Sequence, residues 1–160
     1  MTSHSPAVQQ FWADYRATLD DRHPHHQRVY SAWAFGDSPE LADDLLALVL
    51  SGKKIATASA IWSYEDDNEP EPYVGELSII LDGAGQPQCI IETVEIFVKP
   101  FDEVPADFAK DEGEGDLSLA YWRDAHERFF TREFASNGNK RTFSPQMPVL
   151  CERFTVIYRR

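Results

Sequence analysis

Residues 37–62, DSPELADDLLALVLSGKKIATASAIW, pass from a helical to a strand-like hydrophobic period across one short turn. Ser38 is placed to cap a helix, Pro39 brings the fixed φ that a first helical position favours, and Glu40 sets a negative charge against the positive helix end. Leu41, Leu45, Leu48 and Val49 recur on one face, and Gly52 stands where a helix commonly closes. From Ile55 small, β-branched and aromatic residues take over, which reads as a strand. A helix therefore leads straight into a strand, with Lys53 and Lys54 in an exposed connecting turn between them.

The same two periods organise the rest. Val8, Phe11, Trp12, Tyr15 and Leu19 predict an amphipathic helix from about Pro6 to Leu19, its aromatic stripe turned to the core. VYSAWAFG, GELSIILDG, PQCIIETVEIFV and ERFTVIYR read as further strands, with Gly83-Ala84-Gly85 marking a hairpin turn. LSLAYWRDAHERFFTREF reads as a second long helix in which Leu119, Trp122, His126, Phe129 and Phe130 share a face. SYEDDNEPEPYV, residues 63–74, is acidic with two prolines and is expected to be an exposed loop, as is FDEVPADFAKDEGEGD at 101–116. Strand-to-strand connections are mostly too short for helical crossovers, so a curled or barrel-like sheet fits better than a doubly wound parallel one.

With 160 residues, 42% of them hydrophobic, the chain has material for one compact domain. Acidic side chains outnumber basic ones 27 to 15, a formal net charge of -12 that opposes attraction to a polyanion over most of the surface. Nucleic acid must then meet a local basic patch; DNA is not expected as a partner, and the oligomeric state is not legible. No apolar run reaches the roughly 20 residues of a membrane span, and MTSHSPAVQQ lacks the basic start and apolar stretch of a secretory signal, so a cytoplasmic location is expected. Cys89 and Cys151 lie in separate strand-like segments without a C-x-x-C pair and read as core thiols. His23, His25 and His26 are split by Pro24, so DDRHPHHQR reads as a solvated loop and no metal-ligating set is assigned.

The chemistry-bearing stretch is the turn itself. If the helix ends near Ser51, Lys54 and Thr57 project from one rim, where a lysine can clamp an anion or, with a lowered pKa, deprotonate a hydroxyl. Either use needs a third group, for which DEGEGD offers Glu112, Glu114 and Asp116 among glycines that permit close backbone approach. The bland alternatives stand beside these: a basic helix C-terminus, and a Glu/Gly turn leading to a cap at Asp116 or Ser118. Arg123 and His126 are one helical turn apart, with an Arg123–Glu127 ion pair and a core-bonded His126 as their structural readings. Trp62 follows the strand, where it can stack on a base or anchor a loop.

WAFGDSPELADDLLALVLSGKKIATAS, VGELSIILDG, CIIETVEIFVKPFDEV and EGEGDLSLAYWRDAHERFF together resemble the bacterial ASCH domain family of the PUA-like superfamily, over about Trp33 to Tyr158. The resemblance implies an α+β fold, a PUA-like β-barrel flanked by helices, spanning 31–160, with residues 1–30 as an additional N-terminal helix and His-rich loop. It also implies RNA or modified-nucleoside recognition. Small members hydrolyse the amide of N4-acetylcytidine with Lys, Thr and Glu, and their Gly-x-Lys-x-x-Thr matches Gly52, Lys54 and Thr57. In that reading Lys54 is the general base, Thr57 the nucleophile, and Glu114, with Glu112 as the alternative, holds the lysine and protonates the leaving amine, without a cofactor. Longer members cleave single-stranded RNA with a divalent metal, which implies Mg or Mn on the acidic loop and Lys53 and Lys54 on phosphate. A non-catalytic reader of RNA or modified bases is the third possibility. Lys53, Trp62, Glu112, Arg123 and His126 are the candidate substrate-binding residues, and the net charge favours a small uncharged nucleoside over a polymer.

Overall fold

A computed structural model describes residues 3–160. Helix α1 (Pro6–Ala17) is capped by Ser5, and its Val8, Phe11, Trp12 and Tyr15 are buried. A short 3-10 turn at Pro24–Gln27 leads to strand β1 (Ser31–Trp33). Helix α2 (Pro39–Leu50) starts with the Leu41 N–H donating to Ser38 Oγ at 3.1 Å, as its sequence grammar requires. Strand β2 (Ala56–Ala60), helix α3 (Ile61–Asp67), strands β3 (Leu77–Leu81) and β4 (Pro87–Pro100), helices α4 (Ala106–Asp111) and α5 (Leu119–Ser136) and strand β5 (Pro148–Arg159) complete the chain.

The sheet runs β1-β3-β4-β5-β2, with β1 parallel to β3 and every other pair antiparallel. Long β4 and β5 change register near Ile90 and between Thr93 and Glu95, and such bulges bend and twist a strand pair. The mixed sheet curls into a half-barrel flanked by helices, the PUA-like α+β architecture. Its centre is covered on both faces, which is why four consecutive residues of LSIIL, Leu77 to Ile80, are buried. Leu77, Ile79 and Ile90 meet α1, whereas Ile80, Cys89 and Ile91 meet α2. A third cluster joins Phe101, Phe108, Trp122, Phe130 and Phe134 to Ala56, Ala60 and Cys151 beneath α4 and α5.

Two segments expected as loops contain helices. Ile61–Asp67 is helical because Ile61 has a buried site to fill, and Asn68 in the left-handed region ends the helix before Pro70 and Pro72. Ala106–Asp111 forms α4 directly after Pro105, burying Phe108 and Ala109. Acidic composition hid both, since each buries only one or two apolar residues.

Candidate functional site: a buried lysine between two glutamates

Gly52 takes φ +84°, and the backbone N–H groups of Lys53 and Lys54 both donate to the Leu48 carbonyl at 3.1 Å. The chain reverses here and drives Lys54 inward, leaving Lys53 outside. The loop after α4 docks on this turn: the Ile55 N–H donates to the Asp111 carbonyl at 2.9 Å. Gly113, at φ +73°, lies so close that a Cβ there would stand 2.3 Å from the Lys53 carbonyl oxygen. That close approach delivers Glu112 and Glu114 to a lysine some 60 residues earlier in the chain.

Lys54 is 2% exposed, which corrects the expectation of a residue in an exposed turn. Its Nζ donates to Glu112 Oε1 and to Glu114 Oε2, each at 3.0 Å, and stands 5.5 Å from the Phe35 ring centroid. Glu112, 1% exposed, accepts through Oε2 from Trp122 Nε1 and from His126 Nε2, the latter at 3.2 Å. His126 Nδ1 lies 2.9 Å from the Trp122 carbonyl oxygen. Both ring nitrogens thus face acceptors, so the network assigns an imidazolium. Lys54 and His126 then balance Glu112 and Glu114, the condition under which four charges tolerate burial.

Burial alone would lower the Lys54 pKa, but the two carboxylates overcome it and raise it, so the resting residue is an ammonium. Burial also works against the His126 charge, and the Glu112 carboxylate reverses that and raises its pKa. For Glu112 burial acts upward, yet Lys54, His126 and the Trp122 hydrogen bond hold the carboxyl well below the usual range. Glu114 moves the other way: burial and the Glu112 charge raise it against the pull of Lys54. The same cluster thus moves the two glutamates in opposite directions, Glu112 below and Glu114 above the usual carboxylate range.

Lys54, Thr57, Glu114 and His126 line one cavity of about 250 Å³ with Phe35 and Phe129. Thr57 sits on β2 directly opposite Glu152 of β5. Lys53, Trp62 and Arg123 do not line this cavity. Lys53 is exposed on the outside of the turn. Trp62 packs near Phe134, with the Arg141 guanidinium 5.1 Å from its ring centroid. Arg123 donates to the Asp102 carbonyl at 2.7 Å in place of the expected pair with Glu127. The sequence reading missed Phe35, Trp122 as the donor to Glu112, and the cavity face of α5. Tyr121, Ala125, Arg128 and Arg132 recur there at helical spacing beside His126, a second stripe the dominant apolar one obscured.

Donor atoms of Glu112, Glu114 and His126 lie within 4.8 Å of one another, spacing that would suit a cation. The group does not fit a divalent metal, because the Lys54 ammonium already occupies the position between the carboxylates and a dication would be repelled by it and by the His126 imidazolium.

The ASCH domain model matches residues 31–158. The crystal structure of an ASCH domain from Lactobacillus crispatus JV V101 is similar over 99% of this chain and 98% of its own, the N-terminal helix included, at 32% identity and a TM-score of 0.90. Protein EF3133 from Enterococcus faecalis V583 is similar over 94% of this chain and 88% of its own, at 36% identity and a TM-score of 0.80. Among curated proteins none matches the sequence. A match over most of the chain, two full-length structural relatives above 30% identity and the half-barrel itself agree: the chain belongs to the ASCH domain family.

Proposed function

We propose that this protein hydrolyses the amide of an acylated nucleoside such as N4-acetylcytidine, with Thr57 as nucleophile, Lys54 as proton relay and Glu114 as the group that stores the proton. The observation that carries the reading is the Lys54 ammonium held 3.0 Å from Glu114 on the wall of a cavity that Thr57 shares. An ammonium cannot itself act as a base. It can pass a proton to Glu114, whose raised pKa suits it to accept, and take the Thr57 proton in the same event. Thr57 Oγ1 then bonds to the amide carbon, the nearby cations stabilise the developing oxyanion, and Glu114 gives its proton to the departing nitrogen as the C–N bond breaks. Water attacks the acyl-threonine with its proton taken by the Lys54–Glu114 pair, and that proton returns to Thr57 Oγ1. Glu112 and His126 take no proton in this scheme; they hold Lys54 in place.

ASCH domains have a PUA-like fold often linked to RNA binding, and Arg128 and Arg132 at the cavity mouth favour single-stranded RNA as a second ligand class. Each arginine is already paired, with Asp124 at 2.8 Å and Asp37 at 3.0 Å, which weakens that case. The test is release of cytidine from N4-acetylcytidine, followed by chromatography, beside cleavage of single-stranded RNA with and without EDTA. Thr57→Val keeps the branched shape of a strand residue and is expected to cut deacylation at least ~100-fold without shifting Tm. Undiminished amide turnover in Thr57→Val would remove Thr57 from the reaction, and EDTA-sensitive RNA cleavage with no cytidine release would replace this reading by the nuclease one.

A further inference from the structure

Strand β4 outruns the strand beside it. Its pairing with β3 reaches Glu92, opposite Leu77, and two further bonds carry the contact to Thr93: the Gly75 N–H donates to the Thr93 carbonyl at 2.8 Å, and the Thr93 N–H to the Glu76 carbonyl at 3.0 Å. Beyond Thr93, the segment Val94–Lys99 pairs with β5 along one edge only, and among the described residues no other backbone group bonds to it. This open edge carries exposed apolar surface. Val94 and Val98 are 51% and 50% exposed, and Tyr73 and Val74, just ahead of Gly75, are 47% and 61% exposed. A row of unpaired N–H and C=O groups is a template on which another strand can form.

We propose that this edge is a dimerisation surface, on which Val94–Lys99 of one copy of the chain pairs antiparallel with the same segment of a second copy. A twofold axis sets one residue opposite itself, and the charges choose which one. With Phe97 on the axis, Glu95 stands opposite Lys99 of the second copy, Lys99 opposite its Glu95, and Ile96 opposite its Val98. An axis at Glu95 or at Lys99 would set like charges against each other, and one at Ile96 or Val98 would leave both charges facing uncharged residues. Opposite charges directly across an antiparallel pair stabilise it, and like charges destabilise it. Lys99 is exposed and has no ion pair among the described residues, so its charge is available to a second copy. Glu95 is steadied by Arg153 Nη1 at 2.7 Å and is still half exposed. A lone lysine on an edge discourages pairing, but a glutamate four residues before it makes this edge complementary to itself. Pro100, without an N–H, ends the ladder.

The experiment is sedimentation equilibrium of the intact protein over a concentration series up to the order of 0.5 mM, the range in which a small edge-to-edge contact is populated. The mass is expected to climb from that of one chain toward twice that value. Lys99→Glu sets carboxylates opposite each other at both ends of the ladder and is expected to weaken association at least about tenfold. Lys140→Glu, the same change of charge on an exposed residue away from the edge, is expected to leave it unaltered. Glu95→Lys alone should associate as poorly as Lys99→Glu, whereas an equal mixture of these two variants restores both opposite-charge pairs and should recover the dimer. Circular dichroism checks each fold, and Lys99→Glu against Lys140→Glu carries the test if Glu95→Lys, which meets Arg153, does not fold. A single-chain mass throughout the series, undiminished association of folded Lys99→Glu, equal loss in Lys140→Glu, or a mixture of folded variants that stays monomeric would overturn the proposal.

Discussion

At Lys54, removing the ammonium leaves two carboxylates and one imidazolium in a nearly dry site. Lys54→Ala is therefore expected to lose roughly 3–5 kcal/mol of stability as well as activity, measured by urea unfolding, in contrast to Thr57→Val, which should lose activity alone. The pH dependence of the cluster follows from His126. Its pKa is raised above 6.5 in the folded protein, so the stability it adds is full below 6.5 and is lost as pH rises through the folded value. His126→Gln should thus cost most near pH 5.5 and progressively less above the folded pKa, read from melting curves over a pH series. A cost independent of pH would mean that packing on Trp122, at 4.2 Å between ring centroids, outweighs the charge. The residue types of this site were legible: Gly52, Lys54 and Thr57 from their spacing, and two candidate glutamates from their loop. Which glutamate titrates was not, because the difference comes from Trp122 and His126 bonding one of them.

Among the elements, the turn between α2 and β2 and the loop after α4 act as one device. Gly113→Ala sets a Cβ against the Lys53 carbonyl and requires a left-handed φ of an L side chain. It is expected to cost about 1–3 kcal/mol and, by moving Glu112 and Glu114 together, to reduce turnover further than Tm alone would suggest; differential scanning calorimetry beside the cytidine assay checks both. Helix α2 could be read to its caps because its signals are local: Ser38, Pro39 and Gly52 act within one turn of themselves. Helices α3 and α4 could not, since six or seven residues form a helix only with tertiary support, and theirs comes from distant residues such as Phe134 and Trp122.

Over the whole molecule, α1 completes the core instead of decorating it. Phe11, 1% exposed, stands edge-on to Tyr158 at 5.2 Å, in the layer over Leu77, Ile79 and Ile90. Phe11→Ala is expected to cost about 3–5 kcal/mol in urea unfolding, and a value under ~1 kcal/mol would show the helix to be a separable appendage. The described residues contain no helix long and apolar enough to cross a membrane. The net charge of -12 is distributed unevenly, with Arg128 and Arg132 lining the lysine cavity and Glu69, Glu76, Glu133 and Glu152 lining the larger depression that also reaches Thr57. From the sequence alone came the helix-to-strand switch, helices α1, α2 and α5, the strand segments and the residue types of the site, because periodicity, caps and glycine act over a few residues. Tertiary structure alone decided that Lys54 is buried and charged, that the Glu112 carboxyl is held below the usual range while that of Glu114 is raised, and that Glu152 stands beside Thr57. Those properties are energies between groups tens of residues apart, set by desolvation and distance, and neither quantity exists until the sheet has curled and the loop has docked.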